Sequence, residues 1–170
     1  MDLERLANIA EIVGVVLVVG GFGFAVVQLA HIRRQRKELA AIELLKSFES
    51  PEFSRAVRLV LALPENATAE QLRGAGEEVE DAAMQVSLTL EGVAIMVHRR
   101  MVGIDIVWEL MGGVVLAVWV RIALLAESIR KDQRRDKFAE WVQWLAARLE
   151  QYENRHGRQP AYIRYRDWKP

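Results

Sequence analysis

The stretch Ile12–Ala30, IVGVVLVVGGFGFAVVQLA, decides the fold class, because Gln28 is its single polar side chain. Its nineteen residues would rise about 1.5 Å each in a helix and span roughly 28 Å, close to the ~30 Å hydrocarbon thickness of a bilayer. We therefore predict a transmembrane helix over residues 8–30. The lipid bilayer is its expected partner.

Charged residues flank this helix unevenly. The C-terminal side carries a juxtamembrane basic anchor, formed by Arg33, Arg34, Arg36 and Lys37. The N-terminal side offers two acidic residues and one basic residue, Arg5. By the positive-inside rule the N-terminus lies outside, residues 1–37 form the membrane segment, and residues 38–170 form a cytoplasmic domain. A cleaved signal peptide would carry its basic residues before the apolar core, so we expect an uncleaved anchor.

The charge balance argues against a nucleic-acid partner. Lys and Arg total 23, as do Asp and Glu. Residues 1–37 hold five of the basic and three of the acidic residues, which leaves 18 and 20 for the domain beyond. A nucleic-acid binder needs a basic excess to neutralise phosphates. The chain also contains no cysteine, which excludes disulfides, thiolate metal sites and thiol nucleophiles.

Beyond residue 37 the apolar residues recur at helical spacing. The sequence predicts an all-α fold, in which one N-terminal transmembrane helix continues into a cytoplasmic antiparallel helical bundle. Ser50 is the expected cap of the first bundle helix, and Thr68 and Gln71 have the spacing of a capping box. Asp105 is the expected cap of a later helix. Three long helices are predicted over residues 77–101, 106–130 and 136–155.

The helix over residues 106–125 could be a second membrane crossing, because residues 110–120 are uninterrupted apolar sequence. Glu109 and Arg121 bracket only eleven residues, however, and such a length is typical of a buried helix in a soluble bundle. A charge also costs about 2.5–3.5 kcal/mol near the bilayer centre. We therefore expect a buried bundle helix. If it crossed instead, the C-terminus would lie outside.

Small residues repeat along one face of the predicted membrane helix. This helix-packing face consists of Ala7, Glu11, Gly14, Val18, Gly21, Ala25 and Gln28. Small residues let two helix backbones approach closely, which is how helices associate in lipid. The face therefore predicts a homo-oligomer. The alternative is a glycine-rich helix whose glycines share a face by chance.

Two charged residues lie inside apolar sequence and form a candidate buried ion pair, Glu91 with Arg121. Buried charges normally pair with a counter-charge, so a structural role is expected. His98 lies two turns from Glu91 on the same helix, but one His and one Glu do not make a metal site. We predict no catalytic residues, no metal and no cofactor, and hence no enzyme.

The C-terminal tail combines aromatic and basic residues, with candidate contacts at Tyr162, Arg164, Tyr165, Arg166 and Trp168. Such residues are at home at lipid headgroups, but they could also dock on the bundle or on a neighbouring subunit. Prolines at 160 and 170 leave no amphipathic helix, which favours docking on protein.

Several segments resemble the domain-of-unknown-function 4760 family. They are ANIAEIVGVV (7–16), VVQL (26–29), LEG (90–92), RMVGID (100–105), and Trp119 before Arg130. The resemblance covers most of the chain. It implies a small bacterial protein with one N-terminal membrane helix and a cytoplasmic helical domain, and hence the bacterial inner membrane. The family has no established activity, so the resemblance adds no catalytic residue.

Two functions follow from these expectations. In the first, the chain is a membrane-anchored, self-assembling scaffold that recruits a partner. An unidentified membrane protein is one candidate for this partner. In the second, the assembled anchors form a homo-oligomeric pore or channel. Only Glu11 and Gln28 could give a pore a polar lining, which favours the scaffold.

Overall fold

The computed structural model describes residues 14, 17–29, 31, 32, 35, 39, 42, 46, 48 and 50–169. The chain divides into two units, Met1–Ala40 and Ala41–Pro170. Of the predicted membrane helix over residues 8–30, Gly14 and residues 17–29 fall within this description. The other positions of that prediction lie outside it.

Helix α1 (Leu17–Leu29) is the described apolar helix of the first unit. Every one of its side chains is exposed, and the exposed fractions reach 74% for Phe22 and 72% for Val18. A helix that is apolar on all sides is normally buried in a large core or in a membrane. Within the part of the chain that the structure describes, α1 is thus exposed on all its faces.

The second unit contains six helices within residues 50–169: α2 (Pro51–Leu61), α3 (Ala69–Gly74), α4 (Glu77–His98), α5 (Ile104–Asp132), α6 (Glu140–His156) and α7 (Ala161–Arg164). No strand occurs in the described parts of the chain, so the all-α prediction is confirmed for them. Connections of five and seven residues join α4 to α5 and α5 to α6. Connections this short favour antiparallel directions for successive helices.

Two helices begin where local sequence signals predict. The Ser50 hydroxyl accepts a hydrogen bond from the Phe53 N–H at 3.0 Å and caps α2. At α3, the Gln71 N–H donates to the Thr68 hydroxyl and the Thr68 N–H donates to the Gln71 side chain. These bonds satisfy N–H groups that have no partner within the helix. Both capping predictions are confirmed.

Two other helix starts differ from prediction. Helix α5 begins at Ile104, so Asp105 lies in the first turn and Gly103 occupies the cap position without a side-chain hydrogen bond. Helix α6 begins at Glu140 rather than at 136. The preceding residues form turns, and Ala139 adopts the left-handed conformation with φ 52°. An alanine in that conformation interrupts the helix and delays its start.

The core lies between four helices of the second unit. α2 and α6 each pack against both α4 and α5, whereas α4 and α5 contact each other at few points. α3 closes one side by packing on α4 and α5. The largest side chains with almost no exposure are Leu72, Leu90, Ile122, Leu145 and Leu149, together with Val60, Val86, Val107, Val115, Val118 and Val142.

Helix α5 combines a packed face with an apolar outer face. Its most apolar stretch has a mean hydropathy of 1.9 and is 39% buried. Leu110 and Leu124 remain exposed on the outside. Within the described residues, α5 is the one helix long and apolar enough to cross a membrane. The predicted bundle packing is present on its inner face.

Candidate functional site

The helix-packing face of the membrane segment is described at five of its seven positions. Gly14, Val18, Gly21, Ala25 and Gln28 are helical and exposed. A methyl group added at Gly14 or at Gly21 would meet no atom within 4 Å. At these two glycines the helix-packing face therefore has room for a further atom. Its two remaining positions, Ala7 and Glu11, lie outside the described residues.

The juxtamembrane basic anchor also lies outside the described residues. Its members are Arg33, Arg34, Arg36 and Lys37. Their described neighbours His31, Ile32, Gln35 and Leu39 are helical and exposed. The anchor stays a prediction from the sequence.

Arg121 does not pair with Glu91, so the predicted ion pair is wrong. The Arg121 guanidinium instead donates from Nε to the Leu63 carbonyl at 2.9 Å and from Nη1 to the Ala117 carbonyl at 2.8 Å. The first bond ties the end of the α2 segment to α5, and the second bond lies within α5. Carbonyl oxygens thus satisfy this half-buried cation in the place of a carboxylate.

Glu91 lies at the contact between α4 and the start of α6. Burial raises the pKa of its carboxyl above the ordinary value of 4.5, and the charge of Glu140 adds to this rise. The backbone N–H of Trp141, the charge of Arg130 and the backbone N–H of Glu140 act in the opposite direction and lower the pKa. Both N–H groups belong to the first turn of α6, which has no side-chain cap. The carboxylate therefore faces the positive end of α6.

Arg130 belongs to the same buried environment and was not identified from the sequence. Its Nε donates to the Phe138 carbonyl at 2.8 Å, and its Nη1 donates to the Gln143 side chain at 2.7 Å. Its Nη2 and the Glu91 Oε1 are both buried, and neither has a hydrogen-bond partner within the described part of the chain. The sequence places Arg130 in a highly charged run, which predicts a solvated junction, so no local signal indicates this role.

An aromatic cluster joins the end of α4 to α6. The His98 ring lies 4.8 Å from the Trp141 ring and 5.6 Å from the Trp144 ring, measured between centroids. The two tryptophan rings are 5.9 Å apart, and the Arg148 guanidinium lies 6.0 Å from the Trp144 ring. From the sequence, His98 is only a neighbour of Glu91 on the same helix. The three-residue spacing of the tryptophans, which places them on one helix face, is the signal that could have indicated the cluster.

Two surface grooves border α2. The first, about 440 Å³, lies between α2 and α4 and carries four carboxylates together with Arg55. Arg55 pairs with Glu78 across this groove at 2.5 Å. The second, about 340 Å³, lies between α2 and α5. Its apolar lining consists of Phe48, Phe53, Val57, Leu110, Met111 and Val114. The first groove suits a basic partner, and the second suits apolar side chains.

The C-terminal tail docks on the bundle through some of its residues. The Tyr165 hydroxyl donates to the Glu109 carboxylate on α5 at 3.1 Å. Arg158, just before the tail, pairs with Glu153 at the end of α6 at 2.7 Å. A cleft of about 350 Å³ lies between the tail, α5 and α6. The other predicted tail contacts, Tyr162, Arg164, Arg166 and Trp168, are exposed.

Comparison with known proteins gives the family. The family described as Domain of unknown function (DUF4760) matches residues 15–149, which is most of the chain. The chain belongs to this family, and the suspected resemblance is confirmed. No curated protein and no solved structure matches the chain.

Proposed function

We propose that this member of the DUF4760 family is a single-pass, membrane-anchored helical protein that self-assembles and acts as a scaffold or as a recruiting component for a partner. The observation that carries the proposal is that every residue of α1 is exposed. Eight large apolar side chains between residues 17 and 29 are exposed. Each contributes about 1.5–3 kcal/mol when it leaves water. Insertion of α1 into lipid would remove these side chains from water.

We propose the bacterial inner membrane as the location, with the N-terminus outside and the helical bundle in the cytoplasm. The basic anchor after α1 supports this orientation. Because the chain has no cysteine, single cysteines report sidedness without background labelling. Glu70→Cys, before α5, and Gln159→Cys, after it, replace two exposed residues.

The labelling experiment uses a membrane-impermeant maleimide on intact spheroplasts and on inverted vesicles. We expect both cysteines to react in inverted vesicles only, because one crossing places them on the same cytoplasmic side. Labelling of Gln159→Cys from outside, with Glu70→Cys labelled from inside, would show that α5 crosses the membrane. That result would replace the single-pass topology.

Self-assembly is proposed to proceed through the small-residue face of α1. Gly21 lies on this face, whereas the neighbouring Gly20 lies about 100° around the helix. A side chain at either position meets no atom within 4 Å in the chain. Leucine at Gly21 would therefore obstruct only a second helix that packs on that face.

The mass of the protein in detergent or in native lipid particles tests self-assembly. We expect Gly21→Leu to reduce the assembly toward monomer, and the matched control Gly20→Leu to keep the wild-type mass. A monomeric wild-type protein, or equal masses for the two variants, would contradict assembly through this face.

The pore alternative predicts ion flux through liposomes that contain the protein. Along residues 17–29 the single polar side chain is Gln28, and a conducting lining normally needs polar groups along its length. We therefore expect no flux. Flux in the wild type that is lost in Gly21→Leu would favour the pore over the scaffold.

A non-enzymatic role fits the chemistry of the buried charges. Arg121 is satisfied by carbonyls, and Glu91 faces the start of α6. These charges connect helices of the bundle. The apolar groove between α2 and α5 is the surface on which we propose that a partner would be recruited.

A further inference from the structure

The exposed residues of the C-terminal tail form a cluster of apolar and basic side chains at one end of the bundle. Here the tail is taken as residues 161–169. Tyr162 is 79% exposed and Trp168 is 70% exposed, and Ile163 between them is also exposed. Large aromatic side chains are normally at least partly buried in a soluble domain. All three tail aromatics are thus exposed, and Tyr165, at 45%, is the least exposed of them.

Two polar contacts hold the tail in this arrangement. Arg158 pairs with Glu153, whose side chain is only 10% exposed. Tyr165 turns toward the bundle and donates to Glu109 at 3.1 Å. Between these two contacts, residues 161–164 form the single helical turn α7. These contacts hold α7, and with it Tyr162, next to α5 and α6, whereas Trp168 lies three residues beyond the second contact.

The charge around these aromatics is positive. Arg164, Arg166 and Lys169 outnumber Asp167, and all four are exposed. Arg158 is excluded from this balance because it pairs with Glu153. The Arg164 guanidinium lies 5.4 Å from the Tyr165 ring, which places a cation beside an aromatic face. The cluster therefore carries a net charge of about +2 next to exposed aromatic surface.

We propose that the tail binds the anionic headgroup layer of the same membrane that holds α1. The proposal rests on the membrane anchor of the proposed function. Trp and Tyr favour the headgroup region, where an amphipathic ring has both apolar and polar neighbours, and Lys or Arg adds about 1 kcal/mol each near an anionic surface.

The shape of the tail favours lipid over a protein partner. Its exposed aromatics lie on a segment of nine residues, with Tyr162 in α7 and Trp168 four residues beyond the end of α7. A stable protein interface buries about 800 Å² on each partner around a packed centre. A fluid headgroup layer adapts to projecting side chains, so it needs no preformed complementary surface.

The anchor would make a weak tail contact sufficient. A few aromatic and basic residues give only reversible membrane binding when they act alone. Tethering by α1 keeps the tail at the same membrane, which raises its effective concentration there. The tail would then fix the orientation of the bundle on the membrane.

The fluorescence of Trp168 tests this proposal in the full-length protein. The protein is reconstituted into vesicles of brominated phosphatidylcholine, with and without phosphatidylglycerol, and only protein that floats with the vesicles is measured. Subtracting the spectrum of Trp168→Phe from that of the wild type isolates the Trp168 emission. Trp119→Phe, a substitution in α5, is the matched control for a tryptophan outside the tail.

We expect the Trp168 emission to shift to the blue and to lose most of its intensity in brominated vesicles that contain phosphatidylglycerol. High salt should reverse both changes because it screens the headgroup charge. The variant Arg164→Gln/Arg166→Gln/Lys169→Gln should also lose them. Far-UV circular dichroism checks that the helices of these variants are intact. We expect them to be intact because the substituted positions of the tail, Arg164, Arg166, Trp168 and Lys169, are exposed.

Three outcomes would overturn the proposal, and they have different causes. Protein that fails to float overturns the anchor, and the tail contact with it. Floating protein whose Trp168 is quenched by aqueous iodide, and not by brominated lipid, overturns the tail contact alone. A blue shift already present in detergent without phospholipid, and dependent on protein concentration, would assign the tail to a second copy of the chain.

Discussion

Helices α1 and α5 have similar apolar sequences and different surroundings. Every described side chain of α1 is exposed. In α5 the inner valines 107, 115 and 118 are completely buried against the neighbouring helices. α2 and α6 supply the apolar faces that cover α5.

This difference shows that an apolar run does not by itself indicate whether protein or lipid covers the helix. The charged residues within each run are more informative. α5 contains Arg121, whose guanidinium bonds to the carbonyls of Leu63 and Ala117. Such bonds offset the cost of removing a cation from water. α1 contains no charged residue between 17 and 29, which is consistent with its proposed place in lipid.

The largest effect is expected from two charges at the centre of α1. Val19→Arg combined with Phe22→Arg should cost about 5–7 kcal/mol of membrane insertion, because each central arginine costs about 2.5–3.5 kcal/mol. We expect the protein to leave alkaline-washed membranes for the soluble fraction. The control Val19→Leu with Phe22→Leu should stay in the membrane. Equal retention of both variants would remove α1 as the anchor.

The next largest effect is expected from a charge on the inner face of α5. Val118 is completely buried, so Val118→Arg should destabilise the bundle by about 3–5 kcal/mol, the cost of an unpaired buried charge. Thermal unfolding followed by circular dichroism measures this loss. The matched control Leu124→Arg, at a position 37% exposed, should change stability far less. If it were equally damaging, the outer face of α5 would also be buried, and the contrast with α1 would disappear.

A smaller effect concerns the half-buried carboxyl group of Glu91 beside α6. Since burial raises its pKa, the folded state holds the proton more tightly than the unfolded state. The protonated form therefore favours folding below the ordinary pKa, and this contribution is lost as the pH rises from 4.5 through the raised pKa. We expect Glu91→Gln to be more stable relative to the wild type at neutral pH than at acidic pH.

Urea denaturation at a series of pH values measures this difference. Glu150→Gln, at an exposed position of α6, is the control and should follow the wild-type profile. A stability difference between Glu91→Gln and the wild type that stays constant at every pH would contradict the assignment to Glu91.

The smallest effect separates two adjacent glycines of α5. An added Cβ at Gly112 would lie 2.5 Å from the Trp108 ring, whereas at Gly113 it would meet no atom within 4 Å. Alanine favours a helix by about 1 kcal/mol over glycine, so Gly113→Ala should stabilise the bundle by roughly that amount. Gly112→Ala must also displace the Trp108 ring, at about 1–3 kcal/mol, and should destabilise. The two midpoints of urea unfolding should therefore move in opposite directions. Movement in the same direction would show that the ring shifts freely.

Local signals in the sequence predict the helix starts that depend on neighbouring residues. The caps at Ser50 and Thr68 form bonds to residues three positions away, so their spacing is visible in the sequence. The start of α6 is not visible in the sequence, because it depends on the left-handed conformation of Ala139. Arg130 of α5 also bonds to the carbonyl of Phe138 in the turn before α6, and no spacing within α6 indicates this contact.

The partner of Glu91 illustrates the same limit within the candidate site. Its helix, α4, contacts α5 at few points, and both α2 and α6 pack between them. Arg121 of α5 is thus no neighbour of Glu91, although both residues lie in apolar sequence. Which helix faces which follows from the packing of all four, and a single sequence does not contain that arrangement.

The sequence by itself determined the all-α class, the apolar character of α1, the caps at Ser50 and Thr68 and the family, because each depends on residue type and short-range spacing. The tertiary structure alone decided the partners of Arg121 and Glu91, the half-buried state of α5, and the outward direction of Tyr162 and Trp168. These properties depend on which helix surfaces pack against each other. That packing follows from the simultaneous burial of several apolar helix faces, which no single segment specifies.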